Sequence, residues 1–386
     1  MEHDDAQYPE RKRSYTIQSI VRAVSVLNAF ASTSEVLDLR NVTEKVHLNK
    51  GTTFRILETL VETGILERAG KQGYRSRIRT TRVKRFRIGY ASQSHLLPFT
   101  AAVTDGLISA ASAANMDLLV LNNKFSATAA LQNADRFIAE RVDLVIDSQI
   151  NVSVAAQIAA KFSDAGIPFI AIDIPHPGAV YFGADNYKAG RMAGRYLARW
   201  TTKNWNGHAE QLILLGVDAA GSLLNTRLSG VVDGLCELLP IAQTIPNQHY
   251  DTKGGRFEAT LNVMRKHLRR CKPRRTLIGA VNDTTALAAL QAFREVGLEQ
   301  QCAIVGQDAS FQARETMRSA STRLVCTVAY FPETYGARLI EVANDILNHR
   351  PVAPAIFTQH QLVTPENVDK VYPNDAWMKD GPKSRV

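Results

Sequence analysis

The chain has 386 residues, 45% of them hydrophobic and 22% charged, the mix of a globular protein with material for two or three cores. Four cysteines (Cys236, Cys271, Cys302, Cys326) stand far apart with no CxxC and no Cys/His zinc spacing, which argues against a disulfide or zinc scaffold and for a reducing compartment. The start MEHDDAQYPE is acidic and polar and no apolar run nears the ~18 residues of a membrane span, so a cytoplasmic protein is expected rather than a secreted or membrane one.

Charge is spread unevenly. Residues 11–85 carry 16 Lys/Arg against 6 Asp/Glu, and the tract Arg75–Arg85 holds six cations and no acid. A small basic unit ahead of a near-neutral one suggests a polyanion partner; the bland alternative is a solvated linker. After a polar arm, residues 1–14, the positions Ile17, Ile20, Val21, Val24, Leu27 and Phe30 repeat at three and four, one apolar face of a helix. Leu39, Val42 and Val46 predict a second helix. Beyond His47-Leu48-Asn49, a third keeps Thr53, Ile56, Leu57, Leu60 and Val61 in phase and stops at Gly64. Ile65–Arg68 and Tyr74-Arg75 flank a turn at Gly70–Gly73, a two-stranded wing. Residues 15–75 are therefore expected to form a winged helix-turn-helix, followed by a basic linker over 76–85.

The segments TIQSIVRAVSVLNAF and LRNVTEKVHLNKGTTFRILETLVETGILER resemble the DNA-binding domain of IclR-type transcriptional regulators. The resemblance implies operator DNA as a partner, with Lys50, Thr52 and Arg55 presented to it by the third helix. Gly51, Thr53 and Phe54 depart from the residues usual in that family, so base preference does not carry over. Chemically, an arginine can fork onto guanine, and Phe54 can touch a thymine methyl or pack on the wing. Lys71 of the wing and Arg75, Arg77, Arg79 and Arg82 of the basic tract complete the expected DNA-facing set.

From Phe86 the pattern changes to short apolar runs alternating with helical stretches. The runs are 86–91, 117–121, 144–146, 169–172, 212–215, 277–281 and 303–305, with helices over 101–114, 153–165, 188–200 and 284–296. Such alternation predicts an α/β fold with parallel sheets and helices on both faces, its ligand beyond the carboxyl ends of the strands. No run is followed by GxGxxG and no GxxxxGK[ST] occurs, which disfavours a nucleotide-dependent enzyme. There is no HExxH, GxSxG or metal spacing either, so no enzyme, cofactor or metal is expected, and among the histidines only His95 and His176 fall near strand ends. Gly254-Gly255 reads as an uninformative loop pair.

AGIPFIAID, GADNYKAGRMAGRYL, TRLSGVVDGL, AVNDTTALAALQAFREVGL, IVGQD and CTVAYFPETYGARL, in that order, resemble the type I periplasmic-binding-protein fold of ribose-type sugar binders and LacI-like effector domains. The resemblance spans nearly all of 86–373, leaving 374–386 as a tail. It implies two lobes linked by three crossings, the first over about 86–188 plus 310–332 and the second over about 189–309 plus 333–372. It also implies a small carbohydrate-like ligand held by Ser92, Phe99, Asp173, Arg227 in a "TRLSG" turn, Asn282, Asp283, Asp308 and Tyr330. Carboxylates and amides suit adjacent hydroxyls, and an aromatic ring suits a sugar's C–H face. Ile174 stands where ribose binders have Arg, and Leu96 or Leu97 where they have Asn, which suggests a deoxy sugar or another sugar derivative. Strand-end Asp and Asn also cap helices, Asp283 before Thr284-Thr285 most clearly.

Together these features predict a cytoplasmic, ligand-responsive transcription factor, a homodimer or higher homo-oligomer whose lobe closure alters the setting of paired DNA-binding units. A transport receptor, an NAD-dependent enzyme and a regulator with a non-sugar effector are the alternatives. Repression and activation are equally open.

Overall fold

Asp38 and Asn49 start two helices in the computed structural model, which describes residues 17–70, 73–78, 85–271, 275–319 and 321–375. The chain divides after Lys84 into two units. The first runs α1 (Gln18–Leu27), β1 (Val36–Asp38), α2 (Leu39–Val46), α3 (Lys50–Glu62), β2 (Leu66–Ala69) and β3 (Gly73–Ser76). The Asp38 carboxylate accepts from the Asn41 N–H and the Asn49 amide oxygen from the Thr52 N–H, both at 2.8 Å. These caps satisfy donors that the first helical turn leaves orphaned. His47 takes the left-handed conformation (φ 52°) that lets α2 turn sharply into α3, and Gly64 (φ 75°) closes α3.

Val26, Phe30, Val42, Leu57, Leu60, Leu66 and Tyr74 form the core of this unit. Only the end of the apolar face predicted for the first helix packs, at Leu27 and Phe30. Ile17, Ile20, Val21 and Val24 are 41–61% exposed, whereas Val26 reaches the core and Phe30 does so from beyond the helix end. Spacing identifies residues that share a face, but only packing decides which face is covered. The wing also has one strand more than predicted: β1 pairs with β3, giving the order β1-β3-β2. Three residues are too few for alternation to show. The wing is pinned to α3 through Glu58, which accepts from Tyr74 Oη and from Arg68, each at 2.7 Å.

The second unit starts with β4 (Arg87–Ser92), α4 (Pro98–Ala113), β5 (Asp117–Asn122), α5 (Ala127–Ala139), β6 (Leu144–Ser148), α6 (Val152–Asp164), β7 (Phe169–Ile172) and β8 (Val180–Gly183). The chain then crosses into a second lobe with α7 (Asn186–Trp205), β9 (Gln211–Gly216), α8 (Gly221–Leu238), β10 (Asn247–Asp251), α9 (Phe257–Arg270) and β11 (Thr276–Ala280). That lobe continues with α10 (Asp283–Glu295), β12 (Cys302–Asp308), α11 (Phe311–Met317) and β13 (Leu324–Ala329). It crosses back for α12 (Tyr335–Leu347) and β14 (Ala355–Phe357), and once more for β15 (Gln361–Val363). The first sheet is parallel in the order β14-β8-β7-β6-β4-β5. The second, β10-β9-β11-β12-β13-β15, is parallel apart from β15.

Three crossings were expected and three occur, but the lobe boundaries differ. Residues 324–329 pair with β12 and so belong to the second lobe, not the first. α12 packs on α4 of the first lobe instead of joining the second. Strand-to-lobe assignment is a pairing choice between distant segments, which one-dimensional spacing does not encode.

Two helix pairs approach at glycine. On α7 and α8, a Cβ at Gly190, Gly194, Gly230 or Gly234 would collide with the facing backbone, of Arg227 in the case of Gly190. Gly106 of α4 and Gly336 of α12 meet in the same way. Bare backbone faces allow this closeness, at some entropic cost relative to alanine. Among the described residues no helix is long and apolar enough to cross a membrane.

Candidate ligand cleft and nucleic-acid interface

The carboxyl ends of both sheets face a cavity of about 580 Å³ including its mouth. Phe99, Asp173, Arg227, Asn282 and Asp308, all chosen from sequence, meet on its wall. Phe99 stands edge-on against Tyr335 at 5.5 Å between ring centroids, which fixes an aromatic surface on the first lobe. Asp173 follows β7 at φ 60°, and its carboxylate accepts from the Ala184 N–H at 3.3 Å. Asp308 ends β12 at φ 102°. Both carboxylates of the cavity therefore sit in backbone conformations that cost energy for a residue other than glycine, a cost often retained at binding sites. A Cβ on Gly183 would strike the Asp173 carboxylate, so that position is reserved for glycine.

Arg227 lies inside α8, one turn into the helix's interior, rather than in a turn as the motif suggested. Its Nε donates to Asn186 Oδ1 at 2.6 Å, its Nη1 to the Val281 carbonyl at 3.0 Å, and its guanidinium covers the Tyr330 ring at 4.8 Å. Burial pushes this arginine's pKa down, but Tyr330, Asp173 and Asp308 outweigh it and hold the group charged. Burial raises the Asp173 carboxyl, with Arg227 opposing. Asp308 is raised well above the carboxylate range by burial, with Arg227 opposing and the Asp283 and Asp173 charges adding to the rise.

Asn282, not Asp283, caps α10: its Oδ1 accepts from the Thr285 N–H at 2.9 Å in a capping box. Its Nδ2 donates to the Gly255 carbonyl at 3.3 Å, and Gly254 lines the cavity, both glycines having positive φ. That loop pair is thus part of the wall. Three expected ligand residues stand behind it. Asp283 is fully buried and accepts from Thr327 Oγ1 and the Ser310 N–H, each at 2.6 Å. Ser92 Oγ donates to the Ser94 carbonyl. Tyr330 donates to Gln307 and supports Arg227 from below. It also meets His360, whose Nε2 accepts from the Asp185 N–H at 2.9 Å, so residues of all three crossings touch. His176 is held by Asp147 and the Ile174 carbonyl, each at 2.8 Å, behind the wall, while His95 is exposed. Gln93 and Gln149 line the cavity and were missed; an amide at a strand end carries no sequence signal by itself.

In the first unit Lys50, Phe54 and Arg55 are exposed on α3, Phe54 at 43%. Thr52 and Arg55 line a groove with Ser19 and Arg22 of α1, a cation that sequence reading passed over. Arg75 and Arg77 of the wing share one acid, Glu67, across the hairpin, and Arg85 pairs with Asp117. The tract without acids of its own therefore finds acids in space. Lys71, Arg79 and Arg82 lie outside the described residues.

A periplasmic-binding-protein domain model matches residues 88–351, and an IclR helix-turn-helix domain model matches residues 19–70. The chain belongs to the periplasmic-binding-protein family, with an IclR-type DNA-binding unit at its front. Neither family is an enzyme family. The ribose import binding protein of Bacillus subtilis (strain 168) is 26% identical over 284 residues, covering 73% of this chain and 88% of that protein. Its Escherichia coli (strain K12) namesake is 24% identical over 259 residues, covering 66% and 82%. Among solved structures, a Bacillus halodurans C-125 solute-binding protein with bound myo-inositol superposes with a TM-score of 0.65 at 21% identity, covering 76% and 99%. One from Actinobacillus succinogenes 130z with bound D-allose gives 0.64 at 20%, covering 74% and 99%. The two-lobed α/β fold behind a winged helix-turn-helix is thereby established.

Proposed function

We propose that this protein is a cytoplasmic, ligand-responsive DNA-binding regulator whose effector is a small carbohydrate or sugar derivative. One observation carries the reading: a helix-turn-helix unit and a sugar-binder-like domain with a lined cavity lie in one chain. Lys50, Thr52, Phe54 and Arg55 are the base-facing candidates, and Arg75 and Arg77, with Lys71, Arg79 and Arg82, the phosphate-facing ones. Phe99, Asp173, Arg227, Asn282 and Asp308 are the effector contacts. The apolar share of the wall, including Leu97, Ile174 and Leu224, supports a ligand with fewer hydroxyls than ribose-type binders take.

Closing the lobes on an effector changes the geometry offered to DNA in a homodimer, so effector and operator affinities are linked reciprocally. A transport receptor, as the ribose import relatives are named, would use the same cavity but leave the DNA-binding unit without a task. The test is to select binding sites from a random duplex library, then titrate the selected site by fluorescence anisotropy with and without a sugar panel. Specific binding that one sugar shifts at least five-fold supports the reading. Binding that no member shifts, with no member raising the melting temperature, overturns the sugar-effector part.

A further inference from the structure

The cavity is unbalanced in charge. Among the described residues, Asp173 and Asp308 line it against one cation, Arg227. That arginine already spends Nε and Nη1 on Asn186 and Val281, and among the described residues it forms no ion pair with either carboxylate. The other histidine–carboxylate pair nearby, His176 with Asp147, is closed on itself behind the wall. When lobes close on a ligand, water is excluded, and a carboxylate left without a counter-charge is strongly disfavoured. Burial raises both carboxyls, with Arg227 opposing, and an ammonium beside them would favour their charged forms.

A second observation constrains the ligand from the opposite side. Gln149, 3% exposed, lines the same cavity. Its Oε1 accepts from the Asn151 N–H at 2.8 Å, which leaves Nε2 as a buried donor with no partner among the described residues. A buried donor of this kind needs an acceptor, and an ammonium offers none. Carboxylates, in contrast, only accept, and three ammonium protons suit them well.

We propose that the effector is an amine-bearing polyol, an amino sugar or amino-deoxy polyol, whose ammonium is met by the Asp308 and Asp173 carboxylates and whose oxygen accepts from Gln149 Nε2. This rests on the reading of the cavity as a carbohydrate-type site and names the ligand class within it.

The experiment is calorimetric titration of the full chain with matched pairs differing only by amine for hydroxyl: D-glucosamine with D-glucose, D-galactosamine with D-galactose, D-mannosamine with D-mannose, and pairs substituted at carbons 1, 3 and 6. At least one amine should bind ten-fold or more tightly than its hydroxyl partner. Asp308→Asn should bring that ratio near one, and Gln149→Leu should weaken both members of the pair alike. Asp173→Asn provides the same reading should Asp308→Asn fail to fold. Hydroxyl members binding as tightly as the amines, or a preference that survives both carboxylate variants, overturns the amine inference while the sugar reading stands. Binding by no member of any pair overturns both.

Discussion

Helix α3 and the cavity hold the side chains proposed for DNA and effector under opposite conditions. Lys50, Phe54 and Arg55 come from one stretch of α3, are exposed, and depend on a cap only one residue away, Asn49. The cavity gathers Phe99, Asp173, Arg227, Asn282 and Asp308 from five separate segments, with Arg227 buried and the two carboxylates half-buried. Exposed cations cost folding little and act when phosphates displace their counterions. Half-buried carboxylates at positive φ cost folding something at all times, and that cost is offset when a ligand covers them. One surface should thus tolerate substitution without loss of stability, while the other should trade stability against binding.

The strongest way to break this contrast is at the glycine crossing. Gly194→Val forces α7 away from α8, because its side chain would collide with the Val231 backbone. We expect a loss of about 3 kcal/mol, roughly 6 °C or more in the melting temperature by scanning calorimetry, together with loss of ligand heat as Arg227 shifts. DNA affinity at 25 °C should hold; a parallel fall would show that the two units do not work independently. Next come Asp173→Ala and Asn282→Ala, each costing about 2–3 kcal/mol of effector affinity while leaving operator binding in place. A normal effector response in both variants would remove these residues from the site.

On the DNA side, Arg55→Ala should cost about 1–3 kcal/mol of operator affinity if it reads a base, with melting temperature and effector affinity unchanged. Equal anisotropy titrations for variant and wild type would strike it from the contact set.

The pH response sharpens the contrast further. Burial pushes the Asp283 carboxyl up to about 7, although hydrogen bonds from Thr327 and Ser310 and the charge of Arg314 pull it down. An unfolded aspartate titrates near 3.9, so between about pH 4 and 7 the folded protein binds the extra proton. This group's contribution to stability therefore falls as pH rises through that window. Melting curves at pH 5, 6, 7 and 8 should show a shallower decline for Asp283→Asn than for wild type; identical pH profiles would contradict the assignment. Smallest of all, Arg77, Arg79 and Arg82 changed together to Gln should flatten the slope of log affinity against log salt by up to about 0.9 per lost contact, alike on operator and random DNA. An unchanged slope would make the tract a solvated spacer.

Legibility followed the range of the interaction responsible. Helix limits were readable wherever caps and stop signals sit in the chain next to the helix, as at Asn49 and Gly64. The resemblance to sugar binders named Asp173, Asn282 and Asp308, which reach the wall, and also Ser92 and Asp283, which stand one layer behind it. Gln93 and Gln149 escaped because an amide becomes notable only once its burial and partners are known. Gly254-Gly255 looked trivial for the same reason, since its task is to meet Asn282 from a distant loop.

The sequence by itself determined the kinds of element, their order, a basic winged helix ahead of an α/β unit, and five of the residues that reach the cavity. Periodicity, capping and charge density are properties of neighbouring residues, so consecutive letters record them. Tertiary structure alone decided that β13 joins the second lobe, that α1 turns Ile17, Ile20, Val21 and Val24 outward, and that Asn282 rather than Asp283 caps α10. It also decided that one arginine faces two carboxylates beside an amide whose Nε2 has no partner among the described residues. Each of these depends on which distant segments exclude water together, and burial has no local spelling.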